Sequence, residues 1–272
     1  MTLLPPGPCD FHSHLVPGVD DGARDLEDSL EGIGRLVEAG FRRILTTPHL
    51  NASVGREPGG FGPRLEEVGA AFQTLKAAVA EQWPEIQLAQ GFEVMLDIPD
   101  VDLNDHRLRL AGTRFMLVEW PRLQIPPATH RVIERLVASG VRPVIAHPER
   151  YGGMEHTRSI AREWRDMGAL LQVNYGSVCG RYGRAARKVA LRLLSEGLVS
   201  YLASDFHGRP NLHLYYREAR AFFEEKGALE AFYTLTETNP RRLMEDEDPL
   251  PVAILAERSG LLGRFRRIIG AD

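Results

Sequence analysis

Six stretches of the chain set histidine, aspartate or glutamate against short aliphatic runs. They read "DFHSHLVPGVDDG", "TTPH", "GFEV", "LVEW", "VIAHPER" and "LASDFHGRP". They supply His12, His14, Asp20, Asp21, His49, Glu93, Glu119, His147, Asp205 and His207. In the H-S-H pair an extended backbone points both imidazoles to the same side. Glu93 and Glu119 sit among apolar residues, where a carboxylate is costly unless paired or bound to a cation. Any one of these histidines alone is more often a hydrogen-bonded structural residue; the set together favours a polynuclear metal site. Imidazole and carboxylate without thiolate suit manganese, iron or zinc, and not an iron–sulfur cluster. Each ion takes about four to six ligands, so the set implies two or three ions. Metal ions clustered in this way point to hydrolysis, commonly of a phosphate ester.

Two arginines extend that chemistry. Arg150 follows His147 in "AHPER", and Arg209 follows His207 in "DFHGRP". A planar guanidinium binds phosphate oxygens in pairs, although many surface arginines do nothing of the kind. Other hydrolytic schemes lack their residues. A cysteine nucleophile with an arginine six positions on is absent, because Leu15 and Ala185 stand six after Cys9 and Cys179. There is no G-x-S-x-G elbow, P-loop or H-E-x-x-H motif.

The elements that must position these residues follow one grammar. A helical pattern ends in glycine and an aliphatic run follows at once, as in "AGFRRILTTPH", "SGVRPVIAHPER", "MGALLQVNYG" and "EGLVSYLASDFH". Glycine suits the left-handed position that closes a helix, and the aliphatic runs suit strands buried on both faces. Leu26, Leu30, Ile33 and Val37 form one helical stripe, with Asp25 as its N-cap; Leu65, Val68, Phe72, Leu75 and Val79 form a second. Alternating strands and helices predict a single α/β domain, a barrel in preference to a doubly wound open sheet. Six strand ends then deliver His12 with His14, His49, Glu93, Glu119, His147, and Asp205 with His207 to one rim. In parallel α/β folds that rim is where active sites are built.

The remaining features bound the reading. A net charge of −4 over 272 residues gives no sign of a nucleic-acid partner. No run is apolar for long enough to cross a membrane, and two cysteines suggest no disulfide framework, so the cytoplasm is the default location. "NASVGREPGGFGP" (51–63) reads as a surface loop or a mobile flap, and "EDEDP" (245–249) as a solvated acidic linker. "GLLGRFRRIIGAD" (260–272) reads as a basic, weakly amphipathic tail, and "GRYGRAARK" after Cys179 as the basic start of a helix.

With "LLQVNYGS" and "TNPRRL" added to the stretches above, the chain resembles the PHP-superfamily phosphoesterases. Within them it is most similar to bacterial metal-dependent protein tyrosine phosphatases encoded with capsule and exopolysaccharide genes. The motifs run in order from about Cys9 to Met244. The resemblance implies a distorted (β/α)7 barrel over 1–244, with an acidic linker and basic tail over 245–272. It implies a trinuclear, manganese-favouring centre held by His12, His14, Asp21, His49, Glu93, Glu119, His147, Asp205 and His207. Asp20 would support the loop. Arg150 and Arg209 would hold phosphate, and His207 would assist the leaving group. The implied partner is the phosphotyrosine-bearing tail of a tyrosine autokinase. The 51–63 segment replaces a basic loop found in the Gram-positive members. Two rival readings are a small-molecule phosphatase, such as one acting on histidinol phosphate, and a non-catalytic metal-binding regulatory module.

Overall fold

The computed structural model describes residues 7–157, 159–209 and 211–255. Its strands are β1 (Cys9–Asp10), β2 (Arg43–Thr46), β3 (His49–Asn51), β4 (Gln87–Gln90), β5 (Glu93–Met95), β6 (Phe115–Glu119), β7 (Arg142–Ile145), β8 (Leu170–Asn174) and β9 (Tyr201–Ala203). All ladders are parallel, in the orders β1-β2-β4 and β3-β5-β6-β7-β8-β9. β2 and β3 are halves of one strand interrupted at Thr47–Pro48, as β4 and β5 are at Gly91–Phe92. Pro48 has no N–H to give a ladder, which accounts for the first break. Seven strand positions result.

The last position returns to the first. Ser13 and Phe206 form a parallel bridge, His14 N donates to Phe206 O at 2.8 Å, and Asp205 N donates to His12 O at 2.9 Å. Below the bridge the Asp10 carboxylate accepts from Ser204 N (2.9 Å) and Ser204 Oγ (2.5 Å). The strands therefore form a ring, the distorted seven-stranded barrel, and not the open sheet.

Alternation along each strand sorts side chains into two apolar clusters. Phe115, Leu117, Val144, Leu170, Tyr201 and Ala203 belong to one, joined by Leu243 from the helix Asn239–Met244. Met116, Val118, Ile145, Leu171, Val173 and Leu202 belong to the other, with the helices. Glu119, Gln172 and Asn174 continue the parity of the first cluster, so polar groups appear where the barrel filling ends.

The covering helices are α1 (Leu26–Glu38), α2 (Gly62–Gln82), α3 (Thr129–Ala138), α4 (Ile160–Asp166), α5 (Tyr175–Cys179), α6 (Gly183–Ser195) and α7 (Tyr216–Glu225). Gly40 and Gly168, both at φ 99°, follow α1 and α4 in the conformation that glycine alone adopts freely. The expected stripe of α2 is buried throughout. That of α1 is rotated: Ser29, Gly32, Ile33 and Leu36 are buried, while Leu26, Leu30 and Val37 flank the contact. Gly32 causes the rotation, because its bare Cα lets α1 settle on Leu15 and Gly208; a Cβ would stand 2.7 Å from Leu15 Cδ2 and 3.1 Å from Gly208 Cα.

The 51–63 segment forms a short 3-10 turn (Ala52–Arg56), pinned where Ser53 N donates to Asp97 Oδ1 at 2.9 Å. The acidic 245–248 stretch is exposed, yet Asp246 Oδ1 accepts from Arg114 N at 2.9 Å and Asp248 pairs with Arg114 at 3.1 Å. The basic 260–272 tail lies outside the described residues. No described helix is long and apolar enough to cross a membrane.

Candidate metal centre

The rim residues converge. His12 and His14 follow β1, and both are fully buried. Their Nε2 atoms lie 3.1 and 3.3 Å from Glu93 Oε2, and each 3.5 Å from Asp205 Oδ1. His49 Nδ1 lies 3.2 Å from both Glu93 Oε2 and Glu119 Oε1. Asp21 Oδ1 lies 3.5 Å from His49 Nε2 and 3.4 Å from His207 Nε2. Three groups of donor atoms follow: His12, His14, Glu93 and Asp205; His49, Glu93 and Glu119; and His14, Asp21, His49 and His207. His14, His49 and Glu93 are shared between groups. His147 stands beside the second, its Nε2 2.9 Å from Glu93 Oε1 and 3.9 Å from Glu119 Oε2.

The local backbone differs from the simple strand-end picture. His49 and Glu93 open β3 and β5, after the interruptions, and face one another across the ladder. His147 (φ 33°) and Asp205 (φ 52°) adopt left-handed conformations that favour glycine. Such strain persists where surrounding structure enforces it and clusters at functional sites.

A surrounding layer orients the imidazoles. Asp20 Oδ2 lies 2.7 Å from His14 Nδ1; a carboxylate only accepts, so Nδ1 carries a proton and Nε2 is the nitrogen turned to the cage. The same carboxylate accepts from His49 N (3.1 Å) and Gly22 N (2.9 Å). Gln172 Oε1 contacts His12 Nδ1 at 2.9 Å, and Gln172 Nε2 donates to Asn174 Oδ1 at 2.7 Å. Asn174 Nδ2 donates in turn to Asp205 Oδ2 at 2.7 Å. His207 Nδ1 contacts Asp205 O at 3.0 Å, and its ring stacks on His14 with centroids 4.2 Å apart.

Charge governs the titration of these buried groups. Burial pushes the Glu93 carboxyl up, but His12 and His49 outweigh it and hold it well below the ordinary range. Burial likewise opposes ionisation of Asp205, and His12 and His14 overcome it. Burial pulls His12 down, yet Glu93 and Asp205 raise it to about 9. Imidazolium protons thus balance the carboxylates. Even so, His49 Nδ1, Glu93 Oε2, Glu119 Oε1 and His147 Nδ1 are buried without a hydrogen-bond partner. Adjacent ligands on an ion with bonds of about 2.1 Å stand roughly 3.0–3.4 Å apart. The cage distances of 3.1 to 3.5 Å match that spacing, so the residues present fit divalent ions.

A cleft of about 180 Å³ opens beside the centre, lined by Asp21, Asp205 and His207 together with Arg150, Arg181, Tyr182 and Arg209. Arg150 donates from Nη1 to Asp205 Oδ2 at 2.7 Å and lies over the Tyr182 ring, 4.4 Å from its centroid. Arg209 donates to the carbonyls of Asp21 and Gly22. Gln172 and Asn174 had a legible signal, being polar at alternate positions of an aliphatic run. Arg181 and Tyr182 had none, because they reach the cleft through the packing of α5 and α6.

A parallel barrel with a histidine- and carboxylate-lined rim and a cationic cleft defines a metal-dependent hydrolase class. The chain belongs to the CpsB/CapC family of capsular polysaccharide synthesis, whose model matches residues 8–245. The tyrosine-protein phosphatase YwqE of Bacillus subtilis (strain 168) is 31% identical over 264 residues, covering 94% of this chain and 99% of that protein. The tyrosine-protein phosphatase CpsB of Streptococcus pneumoniae is 27% identical over 245 residues, covering 88% and 98%. A crystal structure from a study of YwqE and CpsB, described as unique metal-dependent tyrosine phosphatases, superposes with a TM-score of 0.76. It is 28% identical and covers 90% of this chain and 99% of that one.

Proposed function

We propose that this protein is a cytoplasmic, metal-dependent protein tyrosine phosphatase. Its substrate is the phosphotyrosine-bearing tail of a tyrosine autokinase that controls capsule or exopolysaccharide synthesis. The carrying observation is the convergence of orphaned buried donor atoms on one rim, beside a cleft that presents Arg150, Arg181 and Arg209. The names of the relatives support the substrate class. Two free thiols, Cys9 and Cys179, fit a reducing compartment.

His12, His14, Glu93 and Asp205 would hold one ion, and His49, Glu93 and Glu119, with His147 alongside, a second. His14, Asp21, His49 and His207 would hold a third. Carboxylates mixed with imidazoles favour manganese, with iron or zinc as substitutes. Bound divalent ions supply Lewis acidity and bring the pKa of water toward neutrality. The protein's own groups do the rest. Asp20 and Gln172 hold His14 and His12 in single tautomers, so neither ring reorganises during turnover. Arg150, braced by Asp205 and Tyr182, and Arg209, braced by the Asp21 and Gly22 carbonyls, grip the equatorial phosphoryl oxygens. A tyrosyl leaving group has a pKa of about 10, so its departure needs only modest help.

The test is turnover of a phosphotyrosyl peptide and of histidinol phosphate by chelated and manganese-reloaded protein. Phosphotyrosine hydrolysis restored by manganese supports the proposal. Preference for histidinol phosphate, or metal binding with no hydrolysis of either ester, rejects it.

A further inference from the structure

The cleft residues Arg181 and Tyr182 lead along the chain into a segment whose charge runs against the rest of the molecule. From Met167 to Ser195 the chain has no acidic residue, although it carries Arg181, Arg184, Arg187, Lys188 and Arg192. The protein as a whole is acidic, at −4. Several surface arginines elsewhere meet carboxylates, as in Arg24 with Asp28, Arg107 with Asp105, Arg135 with Asp100 and Arg241 with Glu245. Arg181, Arg184 and Lys188 are exposed and have no hydrogen-bond or ion-pair partner for their side chains among the described residues.

Their placement also works against the helix that bears them. Arg184 stands in the first turn of α6, where no acidic residue offsets it and where the helix dipole disfavours a cation. Lys188 lies four residues on, on the same face, so the two like charges repel. Among the described residues no carboxylate pairs with Arg184 or Lys188 to offset these two costs.

The geometry connects this face to the centre. Arg181 and Tyr182 line the catalytic cleft, and Arg150 lies over the Tyr182 ring. Directly after Gly183, the residues Arg184, Arg187 and Lys188 border a groove of about 660 Å³ whose apolar lining includes Leu191 and Phe222. Arg187 is committed to its own fold, donating from Nε to Val178 O at 2.9 Å, and Lys226 lies 5.7 Å from the Phe222 ring centroid. The groove thus joins apolar side chains with more cations than carboxylates, Glu155 and Glu196 being its acidic members, and Arg184 follows the cleft residue Tyr182 by two positions.

We propose that Arg181, Arg184 and Lys188 form a docking track for acidic residues flanking the phosphotyrosine of a peptide substrate. The inference rests on the phosphatase reading and adds a sequence preference to it. Tyr182 is the junction, with one side toward the phosphoryl-binding arginine and the other at the head of the track.

The experiment compares wild-type protein with the Arg184→Gln/Lys188→Gln double variant, both manganese-loaded. Three esters are used: a phosphotyrosyl peptide with aspartates and glutamates beside the tyrosine, the same peptide with asparagines and glutamines, and p-nitrophenyl phosphate. The double variant should raise KM for the acidic peptide about five- to tenfold, with kcat unchanged. It should erase the wild-type preference for the acidic over the neutral peptide and leave p-nitrophenyl phosphate kinetics alone. An acidic-peptide preference that survives in the variant overturns the track. So does an equal loss on all three esters, which marks a structural role. Loss of binding to anionic phosphatidylserine vesicles with peptide KM unchanged assigns the face to a membrane and also overturns it. Wild-type protein that hydrolyses none of the esters defeats the phosphatase reading instead. Fluorescence anisotropy of the unphosphorylated acidic peptide then still tests the track: binding weakened by the double variant supports it, and binding unaffected rejects it.

Discussion

Asp20 and Asp21 are neighbours in sequence, but their carboxylates reach different layers of the same centre. Asp20 Oδ2 lies 2.7 Å from His14 Nδ1, behind the ring, while Asp21 Oδ1 lies 3.4 Å from His207 Nε2, at the open edge. Successive side chains diverge, so one loop supplies both an orienting group and a candidate ligand. Asp20→Ala should weaken metal affinity about 10- to 100-fold while leaving the stoichiometry at saturating metal unchanged. Asp21→Ala should lower the saturating stoichiometry. Titration calorimetry with elemental analysis separates the two outcomes, and a reduced stoichiometry in Asp20→Ala would contradict this division.

Glu93 belongs to two of the three donor groups, and Asp21 to one. Glu93→Gln should therefore cost more bound metal per chain than Asp21→Asn. Equal metal content in the two variants, measured after dialysis, counts against a shared carboxylate.

Arg150 contacts Asp205 but belongs to none of the donor groups. Arg150→Ala should keep most of the bound metal and lower kcat/KM for a phosphotyrosyl peptide about 10²- to 10³-fold. Arg150→Lys should recover little, because a point charge reproduces neither the paired donors nor the stacking on Tyr182. Full turnover in Arg150→Ala removes the arginine from phosphate binding.

The metal-free protein should lose stability as pH rises. His12 is raised from 6.5 to about 9 in the folded state, mainly by Glu93 and Asp205 acting against burial. Its contribution is complete below about pH 6.5 and lost as pH passes through 9. Metal replaces the proton as the balancing charge, so the loaded protein should not show this decline. Melting temperatures from pH 6 to 9.5, with and without manganese, test it; parallel curves would rule out the exchange of metal for proton.

Gly32→Ala should destabilise the fold by about 1–3 kcal/mol, since the added methyl meets Leu15 and the Gly208 backbone. Because Gly208 adjoins His207, activity should fall as well. An unchanged denaturation midpoint would show that α1 can move away without cost.

The repeating helix–glycine–strand pattern made the barrel readable, because each aliphatic run had to be buried on both faces. Glu119 stood out for the same reason, as a charge closing a run with no other polar residue. His49 and Glu93 were placed at strand ends, whereas each opens the second half of an interrupted strand; reading Pro48 as a ladder break would have corrected His49. The α1 stripe was misjudged by one residue because Gly32, an apolar-scale blank, makes the contact. Arg181 and Tyr182 were invisible as site residues, since only tertiary packing carries them to the cleft.

The ring closes through a single bridge, Ser13 to Phe206, and the proposed ligands stand on both sides of that seam: His12 and His14 from the first strand position, Asp205 and His207 from the last. During synthesis the first pair leaves the ribosome nearly two hundred residues before the second. A nascent chain therefore lacks two of the nine proposed ligands, Asp205 and His207, until its final strand emerges. Two of the three donor groups, the one with Asp205 and the one with His207, are complete only once the ring has closed.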